Sequence, residues 1–108
     1  MGREEWYAHG VQGMYRIEFS PESVDNLRFL TARQQREALD AIKEQLIYQP
    51  EVETRDRKPM RPNPIAPWEL RIGNLRVYCR IERSTVRVAA IGIKDRNEVR
   101  IGKEVVEI

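Results

Sequence analysis

The tightest constraint in this chain is an alternation of apolar and polar residues through its second half. Trp68, Leu70 and Ile72 alternate with Glu69 and Arg71. After Gly73-Asn74 the alternation resumes, with Leu75, Val77, Cys79 and Ile81 against Arg76, Tyr78, Arg80 and Glu82. A period of two sends successive side chains to opposite faces of a strand, and Gly-Asn between two such runs supplies a tight turn. Arg83-Ser84 turns into a more apolar run from Thr85 to Ile93, containing Val86, Val88, Ala89, Ala90 and Ile91, which suits a central strand. Gly92 interrupts that run. Lys94 to Glu98 reads as a tight turn or one helical turn, and Val105 to Ile108, beyond Gly102, as an edge strand or a tail.

Upstream the period changes. Tyr15 to Phe19 alternates as a half-buried strand does, and Ser20-Pro21 fits a helix N-cap followed by proline at the first helical position. Val24, Leu27 and Leu30 then predict a short amphipathic helix. Thr31 and Gln34 have capping-box spacing, and Ala38, Leu39, Ile42, Leu46 and Ile47 recur at helical intervals. A second helix is expected over residues 32–48, ended by Gln49-Pro50 and antiparallel to the first. Residues 50–67 hold five of the six prolines and read as a restrained loop, with Arg55, Arg57, Lys58 and Arg61 facing solvent. Residues 1–13 show no period and read as a leader or tag remnant before Met14, which leaves 14–108 as a single domain. The expected class is α+β: an N-terminal strand and a two-helix hairpin packed on a mainly antiparallel sheet of about four strands.

Composition removes several classes of function. With 108 residues, 41% hydrophobic and 33% charged, the chain is long enough for one core and too apolar for disorder. No apolar run approaches the ~20 residues of a membrane span. The lone cysteine, Cys79, supports no disulfide framework, which points to a reducing cytoplasm, and its place in the alternation makes it a buried, inert thiol. The lone histidine, His9, lies in the leader, so no Ser-His-Asp or Cys-His arrangement is available. Gly-rich phosphate loops and metal-ligand spacings are absent too, and neither cofactor nor metal is expected.

What remains is cationic. Residues 1–54 carry six Lys/Arg against ten Asp/Glu, a net of −4, while residues 55–108 carry thirteen against seven, a net of +6. Either the two halves complement each other across the fold, or the second half faces an anionic partner. Arg71 and Arg76 flank the Gly73-Asn74 turn, and Lys94 and Arg96 follow the third strand. In a meander these positions share one end of the sheet, near the Arg55–Arg61 loop. Guanidinium groups grip phosphate by bidentate hydrogen bonds and stabilise charge developing during phosphodiester cleavage. The same four cations fit equally well as outward-facing residues of a solvated sheet.

The order of these blocks carries a resemblance. An alternating strand, a two-helix hairpin, a basic loop, then Trp68-Glu-Leu-Arg-Ile-Gly-Asn-Leu-Arg-Val-Tyr78 and Ala90-Ile-Gly-Ile-Lys-Asp-Arg-Asn-Glu98, is similar to the RelE/ParE superfamily of type II toxin–antitoxin toxins. The likeness runs from about Met14 to Gly102. It implies a toxin held inactive by a cognate antitoxin protein. Its RelE-like members enter the ribosome and cleave messenger RNA, whereas ParE-like members bind DNA gyrase. Arg76 matches an arginine of the ribonuclease members, Lys94 falls where they carry a second one, and Arg71 matches a basic position. Glu69 reverses another basic position, and their catalytic tyrosine falls at Arg100. Arginine stays protonated at neutral pH and is a poor general base. The resemblance therefore implies an mRNA endoribonuclease with Arg76, Lys94, Arg71 and Arg96 at its catalytic centre and Arg55, Arg57, Lys58, Arg61 and Arg100 on the RNA. The alternative is a non-enzymatic toxin that binds a protein such as DNA gyrase, or an inactive relative.

Overall fold

A computed structural model describes residues 14–107, so the expected leader, with Trp6, Tyr7 and His9, lies outside the described residues. Strand β1 (Arg16–Phe19) leads into helix α1 (Pro21–Leu27) and helix α2 (Ala32–Gln45). The rest of the described chain is β: β2 (Arg57–Pro59), β3 (Trp68–Ile72), β4 (Leu75–Glu82), β5 (Thr85–Asp95), β6 (Glu98–Ile101) and β7 (Glu104–Val106). The strands lie in the order β2-β3-β4-β5-β6-β7, every neighbour antiparallel, and β1 joins β5 in parallel. The helices-on-sheet architecture is the one expected, but the sheet has seven strands where about four were expected. The extra strands come from segments read as a loop, as a turn, and as an edge strand or tail, the last of which is an edge strand. A positive φ of 62° at Arg96 and again at Gly102 reverses the chain tightly, so that residues 98–106 fold back as two short strands.

Strand β5 organises the sheet. One edge pairs with β4 and the other is shared by three partners. Residues 85–88 pair with β1, and residues 92–95 pair with β6. Helix α1 fills the gap between them with polar contacts. Ser20 N donates to Val88 O at 3.0 Å, Ser20 Oγ donates to Ala89 O at 3.0 Å, and Asn26 Oδ1 accepts from Ile91 N at 3.0 Å. These bonds occupy the Val88 and Ala89 carbonyls and the Ile91 N–H where neither neighbouring strand reaches.

A register shift between Tyr78 and Cys79 explains the unbroken apolar run in β5. Tyr78 faces Ala90 while Cys79 faces Val88, so Ala89 is the extra residue of a bulge. The bulge changes the parity of the strand. Val86 and Val88 before it, and Ile91 and Ile93 after it, all reach the helix-covered core. Ala90 turns to the other face, into a second cluster with Ala66, Tyr78 and Val99. Gly92 remains in the strand for a steric reason. A Cβ there would sit 2.6 Å from the Arg100 carbonyl oxygen and 2.8 Å from Ile101 Cγ1.

Both helices start as expected. Ser20 Oγ caps α1 by accepting from Ser23 N at 3.0 Å, and Thr31 and Gln34 form a reciprocal capping box on α2. Their buried faces differ from the apolar pattern. Val24 is 50% exposed, while Ser23 and Asn26 are buried, because α1 is rotated to bond the β5 backbone. Leu39 is 37% exposed; α2 buries Ala38, Ala41, Ile42 and its C-cap Leu46 instead. The helix also stops three residues short of Tyr48. There Tyr15 N takes the Ile47 carbonyl, and Arg57 Nη1 takes the carbonyls of Gln45, Tyr48 and Gln49 at 2.6, 3.3 and 3.1 Å.

This packing separates two leucines of one helix. Leu46→Ala is expected to lose about 2–5 kcal/mol of stability, and Leu39→Ala to stay within about 1 kcal/mol of the parent. Urea denaturation of both variants checks it; equal losses would contradict the assigned face.

Candidate nucleic-acid interface

The two faces of the sheet are chemically distinct. Leu70, Leu75, Val77, Cys79, Val86, Val88 and Ile91 form the core beneath the helices. Over the centre of the opposite face the Pro-rich segment folds down, packing Met60, Ile65 and Ala66 on Tyr78, Ala90 and Val99. Asn63 fixes that lid: its Oδ1 accepts from Ile65 N and Ala66 N at 2.8 and 3.1 Å, and its Nδ2 donates to Ala66 O at 2.9 Å. Beyond the lid, at the turn end of the sheet, the face is charged.

Its geometry follows from the two-residue turn Gly73-Asn74, which sets Ile72 opposite Leu75 and so Arg71 opposite Arg76 and Glu69 opposite Tyr78. Two arginines face each other across the strands, where like charges repel. Glu69 relieves the conflict. Its Oε1 accepts from Arg71 Nε at 2.8 Å, and its Oε2 stands 3.8 Å from Arg76 Nε. Arg76 is pinned further, donating through Nη1 to Gly73 O at 2.8 Å and Leu75 O at 2.9 Å. The side chains of Glu69 and Arg76 are 11% and 12% exposed, whereas Arg71 is 46% exposed. Arg76 thus braces the turn while Arg71 extends its outer nitrogens toward solvent.

Tyr78 lies beside this pair and is completely buried, its hydroxyl without a hydrogen-bond partner among the described residues. Burial first, and the nearby Glu69 carboxylate second, push its pKa upward, so it remains a neutral phenol. Lys94 shares the face: it is exposed, pairs with Val99, and its backbone N–H donates to Asn74 O at 2.8 Å, which ties the end of β5 to the β3–β4 turn. Arg96 is exposed at the tip of the β5–β6 turn.

The remaining expected RNA contacts separate into two groups. Arg61 on the lid is exposed, Arg55 is exposed beside Asp56 at 3.7 Å, and Lys58 pairs with Glu53 at 3.3 Å. Arg57 departs from expectation, because its guanidinium is turned inward onto the carbonyls at the end of α2. Arg100 departs too. It is register-paired with Ile93, whose side chain packs on the helix-side core, so it projects from the face opposite Arg71, Arg76 and Lys94. Convergence therefore holds for Arg71, Arg76 and Lys94, with Arg96 at the rim.

Sequence reasoning missed the role of Glu69, reading it only as a reversed charge. The signal was present: Glu69 and Arg71 are two apart on one strand face, and the two-residue turn places Arg76 opposite Arg71. A groove of about 700 Å³ lies elsewhere, between the end of α1 and β6–β7, with Asn26, Phe29, Ile65, Ile101 and Val106 among its walls. It gathers none of the cations of the charged face.

Cys79 sits on the helix side, 1% exposed, and burial pushes its thiol up to about 12. Native protein at pH 8 is expected to react with a thiol reagent only as fast as it unfolds. Immediate stoichiometric labelling would contradict that burial.

No protein-family profile and no curated protein sequence matches the chain. A chain in the crystal structure of the toxin-antitoxin complex RelBE2 from Mycobacterium tuberculosis is similar to it, with a TM-score of 0.65 and 22% identity, over 75% of this chain and 92% of that one. At this identity the likeness is one of fold, and the architecture of the chain is RelE-like.

Proposed function

We propose that residues 14–108 form the toxin of a type II toxin–antitoxin pair, acting in the cytoplasm as a ribosome-associated mRNA endoribonuclease and silenced by a cognate antitoxin protein. The observation that carries this reading is the convergence of Arg71, Arg76 and Lys94 at one uncovered end of the sheet face. Likeness in fold to a component of a toxin–antitoxin complex supports the toxin assignment.

The chemistry available there is electrostatic. Among the described residues the face holds no histidine, and its one tyrosine, Tyr78, is buried and neutral. The RNA 2′-hydroxyl would attack the adjacent phosphorus, losing its proton to water. The bond to the 5′-oxygen would break, that oxygen taking a proton from water, leaving a 2′,3′-cyclic phosphate and a 5′-hydroxyl. Arg71 and Lys94 meet the charge that builds on the phosphate oxygens, and Arg76 holds the turn on which Arg71 depends. Arg61 and Lys58 supply general phosphate affinity. A second reading, a toxin that binds DNA gyrase without catalysis, draws on one observation: Glu69 neutralises part of the cluster, with both of its carboxylate oxygens turned to arginines.

Induction of the chain in cells, followed by mapping of mRNA ends and a gyrase supercoiling assay, separates the two. Arg71→Ala is expected to remain folded and to lower cleavage by about 10²–10³-fold. Charge removal at Arg61 and Lys58 should instead weaken binding broadly and flatten its salt dependence. A folded triple variant lacking Arg71, Arg76 and Lys94 that stays fully toxic would overturn the ribonuclease reading in favour of gyrase binding.

A further inference from the structure

Glu69 is an anomaly on a face proposed to bind a polyanion. Its carboxylate repels phosphate, yet it lies in the middle of the cationic cluster, nearly buried, between Lys58 of β2 and Tyr78 of β4. A face that needed only positive charge would gain by losing it.

Its contacts point to another use. Bonding through Nε at 2.8 Å leaves both terminal nitrogens of Arg71 unclaimed by Glu69 and fixes the plane of the guanidinium. The second carboxylate oxygen lies 3.8 Å from Arg76 Nε, an ion-pair contact beyond hydrogen-bond length, and Arg76 is itself anchored to the carbonyls of Gly73 and Leu75. Rigidity thus passes from the turn through Arg76 and Glu69 to Arg71, the member of the trio that reaches solvent. An unrestrained arginine at a strand surface samples many rotamers, and misplacement of a charge-stabilising group by about 1 Å costs on the order of 10²-fold in rate. Glu69 exchanges net charge for geometry.

We infer that Glu69 is a positioning residue, which aims the Arg71 fork at the scissile phosphate at the expense of ground-state affinity for RNA. This rests on the proposal that the face binds RNA. The two separate in experiment, because positioning of Arg71 is observable without cleavage.

The test uses the full chain and its Glu69→Ala and Glu69→Gln variants. Three quantities are read: kcat and KM on ribosome-bound message, Kd for a non-cleavable 2′-O-methyl RNA oligonucleotide, and solvent exchange of the Arg71 Nε–H by NMR. Glu69→Ala is expected to bind the oligonucleotide a few-fold more tightly, to lose at least about tenfold in kcat, and to lose exchange protection at Arg71. Glu69→Gln, which keeps an acceptor and drops the charge, should bind as tightly with a smaller loss in kcat. If Glu69→Ala fails to fold, the glutamine variant gives the same readings at smaller amplitude. A variant that binds more tightly and cleaves as well or better would overturn the inference, since Glu69 would then act only as a brake. A lowered melting temperature with kcat, Kd and exchange unchanged would overturn it as well. If the parent chain cleaves nothing, the ribonuclease reading falls, and exchange at Arg71 still decides whether Glu69 positions it.

Discussion

A β-strand has two edges of peptide groups to satisfy, and β5 meets that demand with four different partners. Strand β4 covers one edge; β1, helix α1 with its Ser20 cap, and β6 divide the other. A gap opens because β1 ends at Phe19 and β6 begins pairing only at Gly92. Unpaired buried amides there would cost about 1–3 kcal/mol each, which the side chains of Ser20 and Asn26 avoid. This contact also sets the rotation of α1, and with it which residues of the helix are buried.

The bulge at Ala89 is the companion device. Side chains on a regular strand keep one parity throughout, and β5 would then send either Val86 and Val88 or Ile91 and Ile93 away from the helices. One extra residue lets both pairs enter the same core and turns Ala90 into a seat for the Pro-rich lid. Small residues suit the lid side: Ala90 sits beneath it, and Gly92 lets Val99 and Ile101 lean over the strand. The lid covers the centre of the face and leaves its turn end to water, which is why charge gathers there.

Charge in this protein is arranged by face as well as by segment. Arginines that look interchangeable in sequence carry separate duties: Arg57 caps a helix end, Arg76 braces a turn, Arg71 reaches outward and Arg100 lies on the far face. An arginine has five donors, and the carbonyls or carboxylates within reach decide how many remain for a ligand. Counting cations therefore overstates the site, and a carboxylate such as Glu69 contributes order where it subtracts charge.

The sequence by itself determined the elements that depend on local chemistry. Period-two alternation and Gly73-Asn74 specify the β3–β4 hairpin and the pairing of Arg71 with Arg76; Ser20-Pro21 and Thr31–Gln34 specify both helix starts. These follow from contacts within a few residues, so they are written in the spacing. Tertiary structure decided what depends on partners distant in sequence. Leu39 is exposed and Ser23 buried because the sheet, across many intervening residues, selects the faces of the helices. Residues 98–101 became a strand because the free edge of β5 beyond α1 offered pairing to a segment whose own pattern was too short to declare itself, and residues 104–106 then paired with that new strand. Arg57 turned inward because the unsatisfied carbonyls at the end of α2 came within its reach only after folding.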